Sequence, residues 1–155
     1  MYKKILIPLD GSEFAECSLE HVRNLSRMGN RGEVILLHVL DSILWCRQGC
    51  DFVAARNIQY KKAETYLEEI TSRFSFEGIE TRSDILEGGM PASAIVKYAE
   101  DNGVDLIVIT TRGHAGMKRL MLGSVALEVL HDSHVPVLLI RPEPCRQTGL
   151  LPPKG

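Results

Sequence analysis

The residues best suited to chemistry form one glycine-rich, basic segment at positions 110–124. A glycine such as Gly113 lets the backbone approach a phosphate closely and adopt positive φ. Gly123 and Ser124 open a predicted helix, whose N-terminus presents free N–H groups and a partial positive charge. Arg112 adds a cation nearby. The segment therefore predicts a cradle for a polyanion such as a triphosphate; the alternative is that its glycines are turn residues and Ser124 is only an N-cap.

The rest of the chain alternates short apolar runs with longer amphipathic stretches. The apolar runs predict strands, and the helical periodicity of the longer stretches predicts helices between them. This alternation predicts an α/β fold, a doubly wound five-stranded parallel sheet in the order 3-2-1-4-5 with helices on both faces. We expect strands at 4–9, 33–40, 79–86, 104–110 and 135–140, and helices at 12–28, 54–74, 91–102 and 124–131.

The longest predicted helix, 54–74, is preceded by a segment without clear periodicity. We expect that segment, 41–52, to be a loop, and Trp45 within it could cover a ligand, meet a partner or fill a gap in the fold. The helix should turn one stripe towards the sheet. The residues of that stripe are Ile58, Ala63, Tyr66, Leu67, Ile70 and Phe74.

Ligands of such sheets bind beyond the carboxyl ends of the strands, where the strand order reverses. Two polar residues near those ends therefore require an interpretation. Asp10 follows the first strand and could line a ligand site or cap the next helix, with Glu13 in its first turn. His38 lies inside the apolar second strand, and we interpret it as a core histidine rather than a ligand.

Composition excludes several classes of protein. The 155 residues, 45% of them apolar, suit one globular domain, and the net charge of −2 argues against a dedicated nucleic-acid binder. The apolar runs are far shorter than the roughly 18 residues that a membrane span needs, so we expect no membrane interaction. The N-terminus lacks a signal-peptide pattern, which favours a cytoplasmic location. The four cysteines fit no zinc pattern, so we expect reduced thiols and no metal site in the protein itself.

The glycine-rich segment resembles the nucleotide motif of the universal stress protein family, G-x2-G-x9-G-[ST]. Gly113 is followed by nine residues and then by Gly123 and Ser124. Other segments along residues 2–142 resemble the family in the same order. Ile5 to Ser12 resembles its opening strand and turn, and Leu37 to Val39 resembles the end of its second strand. Gly89 to Ala92 resembles the start of its third helix, and Val135 to Arg141 resembles its last strand. The sequence is therefore identified as a member, with a domain at 1–142 and a flexible tail at 143–155.

This resemblance implies a set of residues that bind an adenine nucleotide. The adenosine would lie along the ends of the first two strands, and the phosphates would lie at the glycine-rich segment and the helix after it. The implied residues are Pro8, Leu9, Asp10 and Val39 for adenosine, Thr110, Arg112 and Gly113 for ribose and phosphates, and Gly123, Ser124, Val125 and Ala126 for the phosphate end. The implied cofactors are ATP, or alternatively AMP or ADP, and Mg²⁺ accompanying the nucleotide.

One residue departs from the family motif. Thr110 stands where the motif has its first glycine. A β-branched residue avoids positive φ, so threonine cannot replace a glycine that needs such a conformation. If the position only ends the fourth strand, threonine is acceptable and its hydroxyl could face the ribose. We favour this second interpretation.

Three functions are compatible with these patterns. The first is an ATP-binding regulatory protein of the stress response, without efficient catalysis, that forms a homodimer through strand 135–140 and acts on a regulatory protein partner. The second is an ATP-using enzyme of the related nucleotide hydrolase fold, but Asp10-Gly11-Ser12-Glu13 provides one glycine and an acid where its phosphate loop needs two glycines. The third is an interaction domain without a nucleotide. The glycine-rich segment favours the first.

Overall fold

A computed structural model describes residues 1–40, 52–111 and 123–142, and the structural statements below concern these residues. It confirms the expected alternation of strands and helices. In chain order the elements are β1 (Lys4–Pro8), α1 (Glu13–Arg27), β2 (Glu33–Leu40), α2 (Phe52–Phe76), β3 (Thr81–Glu87), α3 (Pro91–Asp101), β4 (Leu106–Thr110), α4 (Ser124–Asp132) and β5 (Val137–Ile140).

The five strands form one parallel sheet in the expected order, β3-β2-β1-β4-β5. The central strand β1 pairs with β2 on one side, where Pro8 is opposite Leu37, and with β4 on the other. Because both faces of a parallel sheet are covered by helices, its inner strands consist of apolar residues. The run from Val34 to Leu37 is accordingly fully buried.

The core has two layers, one on each face of the sheet. On the first face Ile7 and Leu36 belong to a cluster with Val22 of α1 and with Leu67 and Phe74 of α2. On the second face β-strand residues of the opposite parity meet α3 and α4. Members of this second cluster include Leu6, Leu37, Ile107, Ile95, Ala99, Ala126 and Val129.

The helix α2 differs from its prediction. It begins at Phe52 rather than at 54, and its buried residues start only at Ala63. Ile58, which the periodicity placed on the buried stripe, is 59% exposed. The helical period shows which residues share a face, but it does not show how much of that face has a sheet to pack on. Within the described residues, no helix is long and apolar enough to cross a membrane.

The strand β5 is shorter than predicted. It begins at Val137 rather than at 135, after Pro136. Proline has no N–H to donate to a ladder, but its carbonyl can still accept. The Pro136 carbonyl accepts a hydrogen bond of 2.9 Å from the backbone N–H of Ile107 in β4. The residues before β5 therefore adjoin the sheet without belonging to the strand.

Candidate functional site

The turn after β1 lies at the carboxyl edge of the sheet, where the strand order reverses between β1 and β4. Leu9 is 3% exposed and its backbone N–H donates a 2.8 Å hydrogen bond to the carbonyl of Leu37 in β2. Pro8 ends β1 and is half-buried, whereas Asp10 is exposed. The structure therefore brings these three predicted residues to the edge at which a ligand would bind.

Asp10 organises this turn but does not itself cap α1. Its Oδ1 accepts hydrogen bonds from the backbone N–H of Ser12 at 2.9 Å and from the Ser12 hydroxyl at 2.6 Å. Ser12 is the N-cap, because its Oγ accepts the backbone N–H of Ala15 at 3.2 Å. Gly11 has φ of 82°, a conformation that glycine adopts without strain. The interpretation of Asp10 as the cap was wrong by two residues, since the carboxylate holds the capping serine instead.

The carboxyl end of β2 places Val39 and His38 on opposite faces of the sheet. Val39 packs against the cluster beneath α3 and α4 and is half-buried. His38 has the strand parity of Leu36, which belongs to the cluster beneath α1 and α2. Burial lowers the pKa of the His38 imidazole below its ordinary value of 6.5, although the Leu9 carbonyl and the Asp10 carboxylate act in the opposite direction. At neutral pH the ring is therefore uncharged.

Thr110 is the last residue of β4 and lies beside the strand-order reversal. It is opposite Ile140 in β5 and is only 6% exposed. No non-glycine residue among those described has positive φ, so Thr110 ends the strand in an ordinary conformation. The following residue, Thr111, donates its N–H to the carbonyl of Ile140 at 2.8 Å. The substitution of the motif glycine is therefore compatible with the backbone of this fold.

The N-terminus of α4 lies directly beside this strand end. The N–H of Gly123 donates a 2.7 Å hydrogen bond to the carbonyl of Thr111, which fixes the helix start against β4. Gly123 is the N-cap residue, with φ of −61° and ψ of 145°, and no described side chain caps the helix. The first helical bond runs from the N–H of Leu127 to the carbonyl of Gly123. The N–H groups of Ser124, Val125 and Ala126 precede it and have no partner within the helix.

The helix N-termini on either side of the strand-order reversal, those of α1 and α4, differ in charge and capping. At α1 the Ser12 hydroxyl accepts a hydrogen bond from the backbone N–H of Ala15, and Glu13 and Glu16 lie in the first turn. At α4 the residues that the structure describes provide no side-chain cap, and the first turn contains no acid. An anion is favoured at a helix N-terminus and repelled by carboxylates. A phosphate should therefore bind at α4 rather than at α1.

Two of the predicted ligand residues, Arg112 and Gly113, lie outside the described residues, as do Trp45 and the 143–155 tail. The structure therefore shows the two ends of the glycine-rich segment, Thr110–Thr111 and Gly123–Ser124, which the 2.7 Å bond joins. Two histidines near the end of α4, His131 within the helix and His134 after it, each pair with a carboxylate. His131 meets Asp132 at 2.6 Å and His134 meets Glu100 of α3 at 3.2 Å.

A polar cluster beneath α1 and α2 was not foreseen from the sequence. Tyr66 of α2 has a buried hydroxyl, and burial together with the carboxylates of Glu16 and Asp10 raises the pKa of this phenol. Asp10 thus acts electrostatically on both Tyr66 and His38. The only sequence signal was that a tyrosine and a histidine interrupt apolar stripes, and such a signal does not indicate that the two share a neighbour.

Comparisons with known proteins agree with this architecture. Residues 1–141 match the model of the Universal stress protein family. Universal stress protein MJ0577 of Methanocaldococcus jannaschii is 36% identical over 157 residues, which cover 91% of this chain and 96% of that protein. Universal stress protein YxiE of Bacillus subtilis is 31% identical over 152 residues, covering 91% of this chain and the whole of that one.

Solved structures extend the likeness to three dimensions. The structure of MJ0577 superposes with a TM-score of 0.84, covering 94% of this chain and 99% of that one. A universal stress protein from Archaeoglobus fulgidus, solved in complex with dAMP, has a TM-score of 0.65 at 25% identity and covers 90% of this chain and 98% of its own. The match of the family model over nearly the entire described fold, together with these relatives, shows that the chain belongs to the universal stress protein family.

Proposed function

We propose that this protein binds an adenine nucleotide, ATP in the first place, at the carboxyl edge of the sheet between β1 and β4. The observation that carries the proposal is the N-terminus of α4, which begins against Thr111 with no acid in its first turn and no side-chain cap from the part of the chain that the structure describes. Free backbone N–H groups and the helix dipole at such a place favour a phosphate. The strand-order reversal provides the crevice beside it.

The described residues divide the site into an adenosine side and a phosphate side. Adenosine would lie along Pro8, Leu9, Asp10 and Val39, where an apolar surface adjoins one carboxylate. The ribose would lie at Thr110, with Arg112 and Gly113 beyond it. The phosphates would accept hydrogen bonds from backbone N–H groups of α4, and Mg²⁺ would supply further positive charge beside the phosphates. The residues of the phosphate side are Gly123, Ser124, Val125 and Ala126.

A related protein supports the choice of ligand class. The universal stress protein of Archaeoglobus fulgidus that was solved with dAMP shares 25% of its residues with this chain. Its ligand has the adenine base and one phosphate, which are the two groups that the adenosine and phosphate sides would bind here. The proposal of ATP rests on the additional donors of α4 and on the basic residues of the glycine-rich segment.

We further propose that the nucleotide regulates a protein partner and is not turned over efficiently. The described side chains at the α4 N-terminus include no nucleophile beside a base and no pair of carboxylates. The active form would be a cytoplasmic homodimer, paired through 135–140, with residues 1–142 as the nucleotide-binding domain. A kcat of about 1 s⁻¹ or more with any nucleotide would contradict the regulatory role.

The test measures the nucleotide content of the freshly purified protein and its affinity for ATP. We expect denaturation to release an adenine nucleotide at up to one per chain, and calorimetric titration of emptied protein to show ATP binding at one site. GTP at the same concentration is the matched ligand control, because it has the same phosphates and a different base. No heat with ATP, and no adenine nucleotide released, would refute the proposal; equal binding of GTP would refute the adenosine side.

A further inference from the structure

His38 lies where the end of β2 meets the turn after β1. Its neighbour Leu37 accepts the N–H of Leu9, so the second strand supports the residue that precedes Asp10. The His38 ring faces the Leu9 carbonyl and lies within electrostatic range of the Asp10 carboxylate. Asp10 in turn holds the N–H and the hydroxyl of Ser12. The imidazole is thus linked to the proposed adenosine side of the site through the Leu9 carbonyl and through the charge of Asp10.

The surroundings of the His38 ring favour its neutral form over its charged form. His38 Nδ1 is buried and has no hydrogen-bond partner among the residues that the structure describes. A neutral imidazole can leave this nitrogen as a bare acceptor, whereas a charged one would carry a buried N–H without an acceptor. The neutral ring can still donate to the Leu9 carbonyl from its other nitrogen.

The charged groups on this face come from four elements. Asp10 belongs to the turn after β1 and Glu16 to α1, while Tyr66 and Arg73 belong to α2, where Arg73 lies 4.0 Å from Glu16. On β3, Glu87 is paired with Arg56 of α2, and Asp84 accepts a hydrogen bond from Tyr98 of α3, on the other face. Among the described residues, Asp10 is the only ionised side chain that influences the His38 pKa, so it is the group that would respond to a charged ring.

We propose that neutral His38 is a positioning residue for the turn after β1, and that its protonation weakens nucleotide binding by drawing Asp10 away from Ser12. This inference rests on the proposed function. A charged imidazole would compete with Ser12 for the Asp10 carboxylate, because charge-assisted hydrogen bonds are stronger than neutral ones. Both the adenosine side and the N-terminal cap of α1 would then be disturbed by acid.

The first test needs no ligand. NMR spectra between pH 7.5 and 5 would follow the His38 ring together with the backbone amides of Ser12 and Ala15. We expect these amides to titrate with the midpoint of the His38 ring in the wild-type protein and to lose that titration in His38→Gln. The matched control is His21→Gln, which removes an exposed imidazole from α1 and should leave the titration intact. If the Ser12 and Ala15 amides do not titrate with the His38 ring, the inference is overturned, whether or not a nucleotide binds.

The second test measures the Kd for ATP over the same pH range. If only the neutral form binds well, the wild-type Kd rises towards about tenfold per pH unit below the His38 midpoint, relative to His38→Gln. The comparison with the variant cancels the titration of ATP itself. By linkage, ATP should lower the His38 pKa. Equal pH profiles in the two proteins, or an upward pKa shift on binding, would overturn the inference; absence of ATP binding at pH 7.5 would refute the proposed function as well.

Discussion

Gly123 is the single residue on which the proposed phosphate site depends most directly. It is the N-cap of α4, and its φ of −61° is open to any amino acid, so a side chain can be introduced without backbone strain. Its N–H is already engaged by the Thr111 carbonyl. A substitution there therefore changes the charge and the capping of α4 while the connection to β4 can remain.

We predict that Gly123→Asp reduces ATP affinity at least about tenfold, or ~1.4 kcal/mol. The carboxylate would both repel phosphate and accept the N–H groups that phosphate needs. Since aspartate is a good N-cap, the free energy of unfolding should fall by no more than about 0.3 kcal/mol. Calorimetric titration and chemical unfolding measure the two effects.

The control for this prediction is Gly123→Ala, which adds a methyl group without charge. Alanine is a poor N-cap, so this variant should lose more stability than Gly123→Asp and retain more of the ATP affinity. If Gly123→Ala bound ATP more weakly than Gly123→Asp, the phosphate could not lie at the α4 N-terminus.

A second prediction at this scale concerns Thr110. Because it ends β4 as a buried strand residue, Thr110→Gly should lower the free energy of unfolding by about 1–2 kcal/mol, through backbone entropy and lost burial. ATP affinity should change little. Thr110→Ser is the control, since it keeps the hydroxyl and loses only the methyl group. A large gain in affinity with glycine would mean that threonine obstructs the site.

At the scale of elements, the starts of α1 and α3 were predictable, whereas the extent of packing was not. Ser12 and Pro91 mark the beginnings of α1 and α3 by local chemistry that the sequence shows. The exposure of Ile58 depends instead on where the surface available to α2 ends, a tertiary property. The electrostatic influence of Asp10 on His38 and Tyr66 is of the same kind, because it joins residues far apart along the chain.

The cap of α1 gives a prediction for this scale. Ser12→Ala should reduce the free energy of unfolding by about 1 kcal/mol, since it removes the acceptor of the Ala15 N–H and one donor to Asp10. Ser72→Ala is the matched control, because Ser72 is exposed within α2 and alanine favours a helix. Urea unfolding of both variants provides the measurement. An equal decrease in the free energy of unfolding of both variants would contradict a specific role for the Ser12 cap.

At the scale of the whole molecule, the sheet order could be predicted from the sequence, but the contacts of the edge strand β3 could not. Alternating strands and helices with apolar strands permit few topologies, and the family resemblance selects the observed one. The edge strand β3 carries charges that become interpretable only with contacts. Arg82 donates to Glu33 at 2.8 Å and to the Tyr98 hydroxyl at 3.0 Å, so α3 and β2 hold this edge.

The opposite edge, β5, differs in its chemistry. The strand Val137–Ile140 consists of apolar residues, and Leu138 is 38% exposed. Leu127 and Leu130 of α4, the helix that precedes this strand, are exposed as well. Proteins normally place charges on an edge strand to prevent pairing, as β3 does here. An apolar edge without such charges favours pairing with a second copy about a two-fold axis.

We therefore predict a homodimer that Leu138→Lys disrupts. A lysine at an exposed position of β5 would introduce a charge into the paired edge of each protomer, and the two charges would repel across the axis. Sedimentation equilibrium at micromolar concentration should show a dimer for the wild-type protein and a monomer for the variant. Ile58→Lys is the matched control, because Ile58 is also an exposed apolar residue but lies on α2, which packs on β2 and β3. This variant should remain a dimer. A monomeric wild-type protein, or a dimer unaffected by Leu138→Lys, would show that β5 is not the interface.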